Sequence, residues 1–426
     1  MKDNSPWLFL EPYVHLLRQD DTLLVYNTVS KSVLEFALAD KLSDLANELI
    51  DPANGYVVAM TPDLIIDPAV QEFLNQLRSH FMGDLLDPSW SEGKPVNIIP
   101  EPVVKHGLHP KRREASGMQS GLDLRNYLQE MTLYLNSGPV SPSNPYRNAG
   151  LQFSYPLLHS DEKREMDIDL FRALIDSVNQ YTPTLIHLSG ENLIAYPYLE
   201  QAIEQLSFSP FQKKYHLLID HWEDQITPFI LVQKNSSLAL YIDFPTPAEA
   251  VGQHLERLPD QKLLKKIEFN FVVCNKEELD SALETIRILD LSNVYFKPCY
   301  TGKNLDFFRE NVFISREEIL TSQPDQKQVF SRNSINENDF GKLSVLPGGE
   351  VYANLNDPMI GNAATHSLVD MVSEELENGI SWNRTRKSVA PCRGCIYQFL
   401  CPPVSSYEIF MQRFNFCDVY PNGGVS

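Results

Sequence analysis

The sequence predicts an α/β protein: an open, partial (β/α)6 barrel preceded by a small winged-helix-like domain and followed by a cysteine-rich domain. Three observations carry this. Between about residues 127 and 320, six short apolar runs alternate with segments of helical periodicity. The first 90 residues hold three strand-like runs followed by two helices. Of the six cysteines, Cys392, Cys395, Cys401 and Cys417 crowd into the last tenth of the chain, and none precedes Cys274. The expected divisions are 1–90, a linker at 91–126, the barrel at 127–320 and the cysteine domain at 321–426.

Length and composition agree. A chain of 426 residues and 48.6 kDa exceeds one ordinary core and implies two or three domains. Its 43% hydrophobic and 22% charged residues are those of a folded chain. The net charge of -20 repels nucleic acid and anionic membranes and favours a cationic peptide partner. Glu11 and Pro12 interrupt the N-terminus before a signal-peptide core can form. No apolar run approaches the roughly 20 residues that span a bilayer. A cytoplasmic location is expected, where cysteines serve as ligands or free thiols.

The elements follow in order. Tyr13–Leu17, Thr22–Tyr26 and Ser32–Phe36 are rich in branched and aromatic residues and separated by turn material. Leu38, Leu42, Leu45, Ala46 and Leu49 recur at helical spacing. Asp67-Pro68 is a cap followed by Pro at the first helical position, opening a helix with Val70, Phe73, Leu74 and Leu77. The linker is rich in Pro, Gly, Ser and His, with a short strand expected at Val96–Ile99. The barrel strands are expected at 132–135, 185–188, 215–219, 238–242, 267–273 and 294–296, with helices at 168–178, 199–206, 248–258 and 276–289. Near-continuous apolar strands imply a parallel sheet covered by helices, its ligand rim at the strand carboxyl ends. Past about 320 come a hairpin at Lys342–Tyr352 turning on Pro347-Gly348-Gly349, and a helix at Leu368–Leu376.

The tail carries the chemistry. Cys392-x2-Cys395-x5-Cys401, with Cys417 beyond, places four thiols within 26 positions. Two thiolates two residues apart can share one metal centre, and four close a zinc tetrahedron or the corners of a [4Fe–4S] cluster. The residues alone leave zinc, iron–sulfur and a set of buried free thiols open. Cys274 closes an apolar strand and reads as core; Cys299 follows the sixth strand, where it could face the cavity. Asp220-His221-Trp222-Glu223 ends a strand and could line the same cavity. The histidines show no metal spacing, His106 and His109 lie in the linker, and no Walker or Rossmann glycine motif has a suitable setting.

This tail resembles the SPASM auxiliary-cluster domain that follows radical-SAM barrels in peptide-modifying enzymes. The shared features are the hairpin, Gly361-Asn362 before the helix, and the cysteine run. Two departures stand out: Asn354 and Ser405 occupy positions where that family has cysteine, which removes ligands of the first auxiliary cluster. The four remaining cysteines match the set that holds the second. Ser189-Gly190-Glu191-Asn192 resembles the Gly-Gly-Glu turn by which radical-SAM enzymes hold the amino group of S-adenosylmethionine, although an ordinary βα turn reads the same way. Where those enzymes carry C-x3-C-x2-C, residues 136–144 contain no sulfur. The whole chain resembles the pseudo-radical-SAM/SPASM proteins of Bacteroidales systems that make ribosomally synthesised, modified peptides. Tyr397-Gln398-Phe399-Leu400-Cys401-Pro402-Pro403 and Asn415-Phe416-Cys417 are the most specific points.

That resemblance implies a non-catalytic relative that does not cleave S-adenosylmethionine, holds one [4Fe–4S] cluster (zinc being the alternative) on Cys392, Cys395, Cys401 and Cys417, and binds a precursor peptide for a competent radical-SAM maturase. The first 90 residues are similar to the leader-recognition element of such systems, in which a peptide adds a strand to a sheet edge. The expected edges are marked by Tyr13 and Leu17, and by Ser32 and Phe36; a capping domain without a peptide is the alternative. An enzyme using the barrel cavity for non-radical chemistry, or a regulatory component, also remains open.

Overall fold

The computed structural model describes residues 5–90, 93–98, 126–181 and 183–419. Most of the expected linker lies outside these. Residues 96–98 form no strand, and Ile99, His106 and His109 lie outside the described residues.

The N-terminal region contains β1 (Trp7–Leu10), β2 (Val14–Gln19), β3 (Thr22–Asn27), β4 (Val33–Ala37), β5 (Val57–Ala59) and β6 (Gly83–Leu86). They form two antiparallel sheets, ordered β2-β3-β4 and β5-β1-β6. The first is the expected three-stranded set; β1, β5 and β6 are additions that the sequence reading did not contain. Helices Asp40–Ile50 and Pro68–Ser79 stand where their periodicity places them. The Asp67 carboxylate accepts from the backbone N–H groups of Ala69 and Val70, satisfying donors that a helix start otherwise leaves unpaired. Leu42, Leu45, Leu49, Val70, Phe73 and Leu77 pack with Leu8, Leu23 and Val25 in one core.

The central region holds β7 (Glu130–Tyr134), the short antiparallel pair β8 (Asn136–Ser137) and β9 (Arg164–Glu165), then β10 (Leu185–Ser189), β11 (Gln212–Leu218), β12 (Ser236–Ile242), β13 (Ile267–Val273) and β14 (Val294–Pro298). Strands β7 and β10 to β14 run parallel and in sequence order, with helices between them. The hairpin joins this sheet: β15 (Lys342–Val345) pairs parallel to β7, and β16 (Glu350–Tyr352) and β17 (Gly361–Asn362) continue it antiparallel to nine strands.

Period-2 alternation gives the parallel sheet two unlike faces. One carries Met131, Leu133, Ile186, Leu188, Leu238, Leu240, Phe269 and Phe271, buried in a core with Phe171, Leu174, Ile203, Val251 and Ala282 of the helices. The other carries Glu130, Thr132 and Tyr134, then His187, Lys214, His216, Tyr241, Glu268 and Asn270. Strand β14 is an edge, and β13 is its single strand partner among the described residues. No helix among the described residues is long and apolar enough to cross a membrane.

Candidate functional site

The cysteine tail folds as a compact coil capped by the helix Ser406–Phe410. Ser405 accepts from the Glu408 N–H while the Glu408 carboxylate accepts from the Ser405 N–H, a reciprocal cap. Glu408 also accepts from buried Arg386, Nη1 to Oε1 2.6 Å and Nη2 to Oε2 3.1 Å. Arg386 in turn donates to the carbonyls of Pro402 at 2.9 Å and Phe414 at 2.9 Å, tying together the stretches that carry the cysteines. Cys392, Cys395 and Cys401 are buried and Cys417 half-buried. Burial raises the Cys392 thiol, pushes Cys395 up to about 11 and raises Cys401 further; Arg386 opposes the rise at all three, and charge on Cys417 adds to it.

The donor set suits a thiolate-bound metal in kind, with the Arg386 cation 3.7 Å from the Cys392 sulfur, but not in geometry. The sulfurs do not converge on one point. The Cys392 thiol donates to the Phe414 carbonyl at 2.9 Å, and among the described residues no three His, Cys, Asp or Glu side chains form a metal-ligand group. Asn354 and Ser405, the two positions departing from the SPASM pattern, have other work. Asn354 Nδ2 donates to Asp339 Oδ1 at 3.0 Å and to Ser406 Oγ at 3.1 Å, and Ser405 caps a helix.

The tail docks on the first N-terminal sheet. Leu24 and Tyr26 of β3, with Leu17 and Val33 beside them, share a core with Cys395, Ile396, Tyr397, Phe399, Leu400 and Cys401. Tyr26 donates its hydroxyl to the Pro324 carbonyl at 2.6 Å. At the β4 edge, the Glu35 carboxylate accepts from Arg316 Nη2 at 2.7 Å and from the Tyr397 hydroxyl at 3.0 Å. Of the residues expected to mark peptide-binding edges, Leu17 faces this tail core, Phe36 packs edge-on against Phe73 with ring centres 4.9 Å apart, and Tyr13 donates to the Phe81 carbonyl at 3.1 Å. Ser32 stands before β4 and accepts the backbone N–H of Asn27. These four side chains are spread over both faces of the sheet region. Strands β2 and β4 are its two edges.

Gly190 and Glu191 form the turn after β10, and Asn136 fills it. Asn136 Nδ2 donates to the Asn192 carbonyl at 2.6 Å, its Oδ1 accepts the Asn192 N–H at 3.1 Å, and its carbonyl accepts the Glu191 N–H at 3.2 Å. A methyl group at Gly190 would collide with Asn136 Oδ1 and stand 3.0 Å from its backbone nitrogen, so the close approach requires glycine. The segment after β8 then folds over the strand ends: Val140, Tyr146, Tyr155 and Leu157 pack with Val272, Cys274 and Cys299. Both cysteines are core residues, so Cys299 does not line an open cavity. Trp222 is likewise buried, with its indole N–H donating to Asp224 at 3.1 Å.

The sequence reading missed the polar sheet face. His187 and His216 stand with Nδ1 and Nε2 2.8 Å apart, and His216 Nδ1 lies 3.0 Å from the Tyr241 hydroxyl. Lys214 Nζ lies 2.6 Å from Glu268. The available signal was a polar residue at alternate positions in strand after strand, hidden because each strand alone reads as apolar.

No family model matches the chain, and no curated protein matches it. Among solved structures, SuiB of Streptococcus suis bound to precursor peptide SuiA is similar over 97% of this chain and 100% of that one, with a TM-score of 0.47 and 10% identity. SuiB bound to S-adenosylmethionine gives 96% and 97%, a TM-score of 0.45 and 9% identity. BtrN in complex with AdoMet and 2-DOIA gives 63% and 92%, a TM-score of 0.31 and 14% identity. At these TM-scores the similarities carry no weight for this chain.

Proposed function

We propose that this chain is a non-catalytic component of a ribosomal-peptide maturation system, which binds a precursor peptide through its N-terminal domain and presents it to a competent radical-SAM maturase. One observation carries the reading. At the turn after β10, Asn136 takes the Glu191 N–H and both backbone groups of Asn192, and it opens a segment that has no sulfur through 144. A radical-SAM enzyme needs three thiolates in that segment to hold its cluster.

Peptide binding rests on the two strand edges of the β2-β3-β4 sheet, where an extended segment gains main-chain hydrogen bonds. The acidic chain favours a cationic segment there. Cys392, Cys395, Cys401 and Cys417 would hold a [4Fe–4S] cluster or zinc. Such a group supplies covalent cross-links between the tail stretches and, as iron–sulfur, an electron-transfer centre.

The test is anaerobic incubation of the purified chain with S-adenosylmethionine and a strong reductant, alongside iron, sulfide and zinc analysis. We expect no 5′-deoxyadenosine, with about four irons or one zinc per chain that are lost in Cys392→Ala. Formation of 5′-deoxyadenosine in step with the protein would overturn the non-catalytic reading. Metal-free protein would restrict the proposal to a purely polypeptide scaffold.

A further inference from the structure

We propose that Cys274 and Cys299 are a disulfide site: given a disulfide oxidant such as glutathione disulfide, they join and staple the edge strand β14 to β13. The site is independent of the peptide and of any metal in the tail.

Strand pairing sets the two residues side by side. Val273 and Pro298 are register partners in the parallel pair β13–β14, and Cys274 and Cys299 each follow by one residue. The register continues through them: the Cys299 N–H donates to the Val273 carbonyl at 2.8 Å, the bond a parallel ladder places there. Neighbouring strands lie about 4.8 Å apart. That spacing falls inside the roughly 4.4–6.8 Å between Cα atoms that a disulfide spans. Partnered side chains also point to one face of the sheet. Both cysteines accordingly pack with Val272, Tyr155 and Tyr241, while Val273 between them in sequence belongs to the core on the other face.

The backbone of the pair is held in place. Asn304 Nδ2 donates to the Cys274 carbonyl at 2.7 Å and to the Cys299 carbonyl at 2.8 Å, so one amide ties both strand ends. The Cys274 N–H donates to the Glu278 carboxylate at 2.6 Å. With the Cys299 N–H in the ladder, all four backbone groups are fixed. Joining the sulfurs then needs little further ordering of the chain.

The thiols are 6% and 0% exposed. The Cys299 thiol beside it, and then burial, hold the Cys274 thiol above its usual range. A buried, protonated thiol reacts slowly, so the equilibrium rather than the rate reports the geometry. One thiolate of the pair attacks glutathione disulfide, forming a mixed disulfide and releasing one glutathione. The second thiolate attacks the chain's own sulfur in that mixed disulfide and releases the other glutathione. The chain gives up two protons and two electrons, and the oxidant takes them up as two glutathione thiols.

The position gives the bond its effect. Strand β14 has β13 as its single strand partner among the described residues, and its Tyr295 and Phe296 are 47% and 38% exposed. A covalent link at the carboxyl ends holds this edge where no second strand does.

The test is equilibration of the full chain in mildly alkaline glutathione buffers, from fully reduced to fully oxidised, until the composition is constant. Quenching with acid, alkylation and peptide mapping then read each cysteine separately, the tail cysteines included. We expect the peptides carrying Cys274 and Cys299 to be linked, two hydrogens lighter than their sum. Amides of β14 that pair with β13 should exchange about tenfold more slowly in the oxidised chain. Cys274→Ala keeps a small apolar side chain in the pocket and should show equal exchange in both buffers. Free thiols at both positions in the fully oxidised buffer, or glutathione on either one without the link, overturns the site. Unchanged exchange in a linked chain overturns the staple.

Discussion

His15 shows how one side chain couples this fold to pH. It is 5% exposed, its ring meets Phe330 and Phe399 at 5.8 and 6.1 Å, and its Nε2 has no hydrogen-bond partner among the described residues. Burial lowers its pKa to about 4 from the ordinary 6.5. With a depressed folded value, the unfolded chain binds the proton first as pH falls. Stability from this site is therefore intact above about 6.5 and is lost progressively down to about 4. At pH 5 the loss amounts to about 2 kcal/mol. His15→Phe keeps the ring among its aromatic neighbours and removes the titrating group. Urea unfolding at pH 7 and pH 5 should show the wild type losing about 2 kcal/mol more than the variant between the two, since the other titrating groups are common to both. Equal losses would mean that the imidazole finds a partner or water. Nothing in the sequence marked His15, because its burial comes from Phe330 and Phe399, more than 300 residues away along the chain.

At the scale of elements, the turn after β10 rests on one interaction set and predicts a measurable coupling. Asn136→Ala removes two side-chain hydrogen bonds and strands the Asn192 N–H and carbonyl, at a cost of about 2–3 kcal/mol. Gly190→Ala drives a methyl group into the Asn136 side chain and should cost at least as much. In the double variant that side chain is gone, so the two costs should sum to more than the measured total. Part of the Gly190→Ala cost remains because backbone atoms of Asn136 still lie at 3.0 and 3.1 Å. Strictly additive denaturation midpoints would show that the methyl group at position 190 does not meet the Asn136 side chain. The strands on either side were legible from periodicity: β10 to β14 and their helices stand within a few residues of the expected positions, because a helix-covered face leaves an apolar run. The four-residue β1 and β6 and the three-residue β5 were not legible, since so few residues carry no usable period. The β15–β7 pairing joins residues about 210 apart and could not be read from either strand alone.

For the whole molecule, the decisive contact is that of the cysteine tail with the N-terminal sheet. The cysteine spacing was legible in the sequence, and so was the β2-β3-β4 sheet, but not that the two share one core, because some 370 residues separate them. That core makes the tail part of the support of the proposed peptide-binding domain. Surface polar links contribute little: Arg316 is 51% exposed at its pair with Glu35, so Arg316→Ala should cost no more than about 1 kcal/mol. The apolar contact of Leu24 and Tyr26 with Phe399, Leu400 and Cys401 carries the docking instead. Cys401→Ser places a hydroxyl in that core and removes one proposed metal ligand. If tail and sheet form one cooperative unit, loosening the tail must loosen the strands packed on it. Hydrogen exchange of the full chain should then rise at least tenfold for amides of β2 and β3 as well as for residues 392–401, while β10 to β13, in a separate core, keep wild-type protection. If exchange rises in the tail alone, the sheet is supported by its own helices, and metal loading of the cysteines would have no route through this contact to peptide binding at the far end of the chain.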